Sequence, residues 1–364
     1  MRPELVYRRL TGIGLALALL ALAGCGGGGG SGSSPPPPPG SKLFIVDAGN
    51  HAIASAINAA PTLTSPLSID RTVQGSSTGL GVPGGTPSIS SIPSIALDAA
   101  TDRLFAATQG SVAVFDNIST ADGNAPYSRL ISATLGSGGT LRGVNFYGLY
   151  LDTANDRLYS VDPQGEVHVF NSAHNRNGAT TPDRTVTPDL GGTTVVVVTF
   201  GVAVDKTRDL LYVGIAPSGA NPFIIAFDGA AAANTPPNTT RAPDRTITLP
   251  GAGAFYLDEA NDRLYVAQFN GQFLVFNSAS TLTAAPAANR TITFAVSTTQ
   301  NFIFVDTIRD KLYAVNNNSN GNTSDLLIVD NASTTSDAGP VLPMGTRVVI
   351  TLTNIRLSAV AVKP

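Results

Sequence analysis

The feature that most constrains this chain is that it repeats itself. From Ser41 onward a block recurs about every 54 residues, and a period of that size outranks any local reading. The block is an apolar run ending in Asp, a three-residue gap, a second Asp followed by a basic or apolar residue and Leu, then an aromatic. It reads IALDAATDRLFAA from Ile95, LYLDTANDRLYSV from Leu149, VAVDKTRDLLYVG from Val202, FYLDEANDRLYVA from Phe255 and IFVDTIRDKLYAV from Ile303. Each is followed by an apolar run: VAVFDN at Val112, VHVFNS at Val167, IIAFDG at Ile224, FLVFNS at Phe273 and LIVDNA at Leu327. A polar, Pro-rich connection then leads to Arg and a run rich in Thr and branched residues, begun by Arg71, Arg129, Arg184, Arg245, Arg290 and Arg347.

Each unit therefore predicts four short strands, and four antiparallel strands at this period predict one blade of a β-propeller. The first three strands are nearly continuous apolar runs, as required where neighbouring blades cover both sheet faces. The Thr-Ile-Thr alternation marks an outer strand with one wet face. Six Arg-led strands imply six blades. The first unit, beginning at Lys42, lacks its innermost strand, and IRLSAVAV at Ile355–Val362 supplies it. The expectation is an all-β, six-bladed propeller over residues 41–364, closed when the C-terminal strand pairs into blade one and removes the open edge.

Residues 1–24 read as an export signal. Arg8 and Arg9 precede a mainly apolar run from Leu10 to Ala23 that is too short to span a bilayer comfortably. It ends in Leu22-Ala23-Gly24-Cys25, which resembles the lipobox of bacterial lipoproteins and implies that Cys25 becomes the lipidated N-terminus. Cys25 is the only cysteine, so a mature domain has neither a disulfide nor a free catalytic thiol. A Gly/Ser tract and Pro35–Pro39 make residues 25–40 a tether, flexible and then stiff. Without residues 1–24, which hold Arg2, Arg8, Arg9 and Glu4, 19 basic and 24 acidic groups remain, net −5. No basic cluster survives, which argues against nucleic acid as a partner.

Over residues 42–362 the units resemble NHL and YVTN-type propeller repeats, which share the apolar strand, Asp, turn and Leu-Tyr-Val pattern. In blade one, Val46-Asp47-Ala48-Gly49-Asn50-His51-Ala52-Ile53 is similar to the Asp-x-x-Asn-His stretch of NHL repeats; the other five blades depart from it. Related propellers bind ligands on the face around the central channel, and the calcium-dependent lactonases among them place Glu, Asp and Asn at the inner strand starts. Here those starts carry mainly Asn, Phe and Gly.

The repeated Asp98, Asp152, Asp205, Asp258 and Asp306 look like acid–base carboxylates, but a residue present in every blade would make equivalent sites, whereas one pocket needs residues that break the repeat. The expectation is structural: the first Asp nucleates a turn and the second pairs with its neighbouring Arg. Gly79-Leu80-Gly81-Val82-Pro83-Gly84 is a loop, since Pro83 interrupts the dinucleotide pattern and no helix follows. Asn316–Gly321 resembles the start of a calcium loop, but Leu327 stands where the bidentate Glu belongs. His51, His168 and His174 are too scattered in sequence to predict a metal cluster, and no metal or cofactor is expected. His168 nevertheless stands in a strand where the other units carry Ala113, Ile225, Leu274 and Leu327.

Repeat-breaking polar residues on the channel face nominate Asn50, His51, Asn145, Tyr147, Asp162, Gln164, Glu166, Gln268, Asn270, Asn301 and Asn316 as ligand-binding. Mostly amides, they suit hydrogen bonding to a saccharide-like ligand or to a protein loop. With no nucleophile motif such as G-x-S-x-G, the chain reads as a monomeric, non-catalytic binding or scaffold module. The lipid anchor would hold it in the cell envelope, at the outer membrane, with an envelope protein or polysaccharide as partner. The alternative is a lactonase-like hydrolase or lyase using the central channel.

Overall fold

The computed structural model describes residues 42–57, 67–80, 94–108, 110–133, 148–191, 197–237, 239–294, 299–317, 323–337, 347–353 and 355–363; at 57, 133, 197–199, 299–301 and 347 it describes the backbone alone. The chain divides into Met1–Pro38 and Pro39–Pro364, and all described residues belong to the second unit. The signal, the tether and Cys25 lie outside them.

Six sheets of antiparallel strands form the ring. Blade one holds β1 (Lys42–Asp47), β2 (Ala52–Ile57) and β3 (Arg71–Val73); blade two β4 (Ile95–Asp98), β5 (Arg103–Thr108), β6 (Ser111–Asp116) and β7 (Arg129–Ala133). Blade three holds β8 (Gly148–Asp152), β9 (Arg157–Val161) and β10 (Val167–Asn171), then a short β11 (Gly178–Thr180) and β12 (Arg184–Val186). Blade four runs through β13 (Val197–Asp205), β14 (Leu210–Pro217), β15 (Phe223–Asp228) and β16 (Arg245–Thr248), and blade five through β17 (Ala252–Asp258), β18 (Arg263–Gln268), β19 (Gln272–Asn277) and β20 (Arg290–Thr293). Blade six holds β21 (Thr299–Asp306), β22 (Lys311–Asn317), β23 (Thr323–Asp330) and β24 (Arg347–Thr353), and β25 (Leu357–Lys363) follows. That last strand pairs antiparallel with β1, from Lys42 opposite Lys363 to Asp47 opposite Leu357, and completes blade one as its innermost strand.

Each seam between blades has its own apolar cluster. Tyr159, Val167 and Val169 of blade three meet Val204, Leu211, Val213 and Phe227 of blade four, and the other five seams repeat this. The aromatic of the second strand recurs in one register as Phe44, Phe105, Tyr159, Tyr212, Tyr265 and Tyr313, all at most 1% exposed. Full burial of such a side chain contributes about 1.5–3 kcal/mol, so the repeated aromatic alone supplies a large share of blade cohesion.

The first Asp of each repeat does nucleate a turn. Asp98, Asp152, Asp205, Asp258 and Asp306 are buried, and their carboxylates accept the amides of Thr101, Asn155, Arg208, Asn261 and Arg309. The second Asp does not pair with the basic residue beside it. Asp102, Asp156, Asp209, Asp262 and Asp310 all have φ between 49° and 57°, in the left-handed region that Asp tolerates through local hydrogen bonding. Their carboxylates accept the amides of Ser119, His174, Ala231, Ser280 and Ser333, in the turn after the third strand. Arg103 reaches Asp116 instead, at the far end of its cross-strand neighbour.

The Pro-rich connections bind across the seams. β11 pairs parallel with β7 of the preceding blade. Parallel bridges from Val73 to Gly123, Pro188 to Arg241 and Ile247 to Ala284 do the same elsewhere. The strand-leading arginines reinforce this: Arg184 donates to the carbonyls of Ala230 and Ala233, and Arg290 to those of Ala332 and Thr335, each in the next blade. The far edges of β3, β7, β12 and β16 are therefore covered, which protects them from intermolecular pairing.

Candidate functional site

All six innermost strands border one cavity of about 850 Å³ along the axis. One register level contributes Ala96, Tyr150, Ala203, Tyr256, Phe304 and Ala361, one residue per blade. Three aromatics thus stand among three alanines, and the small residues leave the space that the large ones border. Leu97, Leu151 and Leu257 line the adjoining level, with Phe200, Phe255 and Phe302 on the other side. Tyr256 packs edge-on against Phe304 at 5.5 Å between ring centroids, and Phe200 against Phe255 at 6.1 Å.

Neither the Tyr150 nor the Tyr256 hydroxyl has a hydrogen-bond partner among the described residues. Burial pushes both phenols up, the Glu259 carboxylate adding to the effect at Tyr150, so both remain protonated donors over the whole working pH range. Four inner strands carry a register shift at their N-terminal end, between Thr199 and Gly201, Ala252 and Ala254, Gln300 and Phe302, and, in β25, opposite Val46 and Asp47. Such bulges re-aim side chains next to sites, and here they set Phe200, Gly253 and Ser358 into the lining. Gly201 has φ 149°, and a Cβ there would stand 3.2 Å from the Phe255 ring, so the close approach of these two blades requires glycine.

At the end marked by the terminal acids, Lys206 pairs with Glu259 at 3.1 Å, and Thr207 donates to Glu259 through both its amide and its hydroxyl. Burial works to raise the Glu259 carboxyl, but the Lys206 and Thr207 hydrogen bonds outweigh it and hold the group below its ordinary range. At the bulged end the polar lining groups include Arg356, Asn317, Ser94 and Ser358.

The described residues among those nominated from sequence lie outside this lining. Asn50 donates to Asp47 within its own turn, and the His51 imidazole lies 3.2 Å from the Leu80 carbonyl. Gln268 donates to the Pro250 carbonyl, and Asn270 to Gln272. Asn316 is fully buried and donates to Asp325. Asn301 occupies the blade-six register shift. Asn145 and Tyr147 lie outside the described residues. The tyrosines of the channel were present in the repeat itself, in LYLD and FYLD. Their signal was the residue two before each terminal Asp, which is aromatic in blades three, five and six and alanine in blades two and four.

Two nominated residues do come together with a histidine. Asp162, Gln164 and Glu166 form the hairpin loop between β9 and β10, and Asp162 Oδ1 accepts the amides of Gln164 and Glu166. His168, fully buried, places Nε2 3.3 Å from Asp162 Oδ2.

No family model matches this chain, and no curated protein matches it. Among solved structures it is similar to the β-propeller domain of Cps50 (Swd1) from Myceliophteria thermophila, at 12% identity and a TM-score of 0.47, covering 82% of this chain and 80% of that one.

Proposed function

We propose that this protein is a lipid-tethered, extracytoplasmic binding module whose central channel takes a small, mainly hydrocarbon ligand bearing one or two hydrogen-bond acceptors. A six-bladed propeller is consistent with a binding or scaffold module. The observation that carries the finer reading is the ring of Tyr150, Tyr256 and Phe304 among three alanines, in which the two phenols have no hydrogen-bond partner among the described residues and the charged lining groups stand at the ends of the cavity. Such a site gains from burying apolar surface and uses its few polar groups for orientation. This turns the ligand away from the saccharide expected from the amides, because Asn50, Gln268, Asn270 and Asn316 are bonded within their own blades.

Binding is favoured over hydrolysis by the state of the carboxylates that border the channel. Asp258 caps its own turn through Asn261, and Glu259 is held by Lys206 and Thr207. Neither is free to act as a base. The tether reading rests on the Leu-Ala-Gly-Cys ending ahead of Cys25, and metabolic labelling with an alkyne fatty acid tests it: label on the wild type and none on Cys25→Ser supports lipidation, and label on neither overturns it.

For the channel, the full chain is titrated with the apolar fluorophore 1-anilinonaphthalene-8-sulfonate. One saturable site that disappears in Ala96→Phe, with the melting temperature retained, is the expected result. Equal binding by that variant would move the ligand out of the channel.

A further inference from the structure

We infer that blade three carries a binding site for a divalent transition-metal ion, formed by Asp162, Glu166 and His168. The ligating atoms of these three side chains all lie within 4.8 Å of one another. Each has one atom held by an outer partner. Asp162 Oδ1 is held by the two loop amides, and Oδ2 lies 3.3 Å from His168 Nε2. Glu166 Oε1 accepts the Thr187 hydroxyl at 3.0 Å, leaving Oε2. His168 Nδ1 lies 3.5 Å from the Thr185 hydroxyl, with Nε2 on the Asp162 side. Outer partners that orient ligands in this way are the usual support of a metal centre.

A second observation is independent of the cluster. The Ser160 hydroxyl is fully buried and has no hydrogen-bond partner among the described residues. Ser160 sits directly opposite His168 in the β9–β10 register and two residues before Asp162, so strand alternation projects it from the same face. That face, which also presents Leu158 and Phe170, packs into the seam with blade two. A buried hydroxyl left unbonded is unfavourable, and this one projects from the face that carries His168 and Asp162.

The other blades supply the control. At the register of Ser160 they carry Ile45, Ala106, Val213, Val266 and Ala314; at that of His168, Ala54, Ala113, Ile225, Leu274 and Leu327. Blade four replaces Asp162 and Glu166 by Ile215 and Phe223, and blade five by Gln268 and Gln272. Blade six carries Asn316 and Asp325 there, and blade two Thr108 and Ser111, so a polar group beside the loop is common to the repeat; among the described residues blade three alone combines two carboxylates with His168 and Ser160.

Calcium and magnesium take oxygen ligands, whereas an imidazole with two carboxylates suits zinc and its neighbours, leaving a fourth position for water or a ligand atom. The test is calorimetric titration of the chelator-treated full chain with zinc chloride, beside His168→Leu, which installs the blade-five residue, and Glu166→Gln, which keeps the Thr187 bond. One equivalent of zinc should bind the wild type, and both variants, with folding checked by circular dichroism, should weaken it at least about a hundredfold, since loss of outer partners alone costs ten- to hundredfold. Cobalt(II) should give a visible d–d spectrum that His168→Leu abolishes. No stoichiometric uptake by the wild type, or equal uptake by both folded variants, overturns the assignment.

Discussion

Blades three and five share a backbone and differ in chemistry. Their second and third strands pair residue for residue, and their hairpin loops turn on glycines with φ of 83° and 85°, Gly165 and Gly271. On this common frame blade five places Gln268, Gln272 and Leu274, and blade three places Asp162, Glu166 and His168. Within the loop between strands, the frame needs only a glycine able to adopt positive φ and a polar group to bind the turn amides. Everything else at these positions is free to vary, so difference between blades locates function while identity between them locates structure.

If the frame is common, damage to it must cost the same in both blades. Phe170 and Phe276 occupy one register and are fully buried, and Phe170→Ala and Phe276→Ala should each destabilise by about 3–5 kcal/mol, measured by denaturant unfolding of the full chain. A difference beyond about 1.5 kcal/mol would break the comparison.

A smaller asymmetry should appear after the third strand. There blade five uses Ser280, whose amide and hydroxyl bond Asp262. Blade three uses His174, which reaches Asp156 in its own blade and Asp98 in blade two, at 2.5 and 2.9 Å. His174→Ala should cost about 2–3 kcal/mol, against about 1 for Ser280→Ala, because the imidazole bonds two carboxylates, one of them across a seam, where the Ser280 hydroxyl bonds one. Equal losses would show that the seam bond adds nothing.

The smallest effect extends the comparison to blade two. Its third strand ends in Asp116 where blades three and five have Asn171 and Asn277. Burial works to raise this carboxyl, but Arg129 and Arg103 outweigh it and lower it from the ordinary 3.8 to about 2. A depressed carboxyl stabilises the fold above its unfolded value and loses that contribution as pH falls through the folded one. Stability should therefore drop between pH about 4 and 2, by no more than about 1 kcal/mol after solvent screening. Asp116→Asn should remove that step from the melting-temperature profile, and an unchanged profile would assign it to other groups.

The architecture was legible in the sequence because burial on both faces of a blade imposes a composition that recurs with the chain. The apolar runs, the Asp-led turns and the displaced C-terminal strand all followed from counting. The partner of the second Asp was not legible. A left-handed residue aims its carboxylate at the turn after the third strand, a contact that adjacency in sequence does not suggest. The cross-seam role of the strand-leading arginines was hidden for the same reason, since it is made with the next blade. For the candidate site, symmetry breaking pointed to Glu166 and to the oddity of His168. It also pointed to amides that the fold satisfies within single blades.

What the sequence by itself determined was the repeat, the number of blades and the closure of the ring, since period and hydrophobicity are one-dimensional properties that a blade translates directly. Only the tertiary structure decided what the ring encloses. One residue from each inner strand meets the other five on the axis, so the ring of Tyr150, Tyr256 and Phe304 among alanines exists only once six distant segments share a level. The same holds for Ser160, Asp162, Glu166 and His168, whose common face is set by antiparallel register, a relation between strands that no single strand contains.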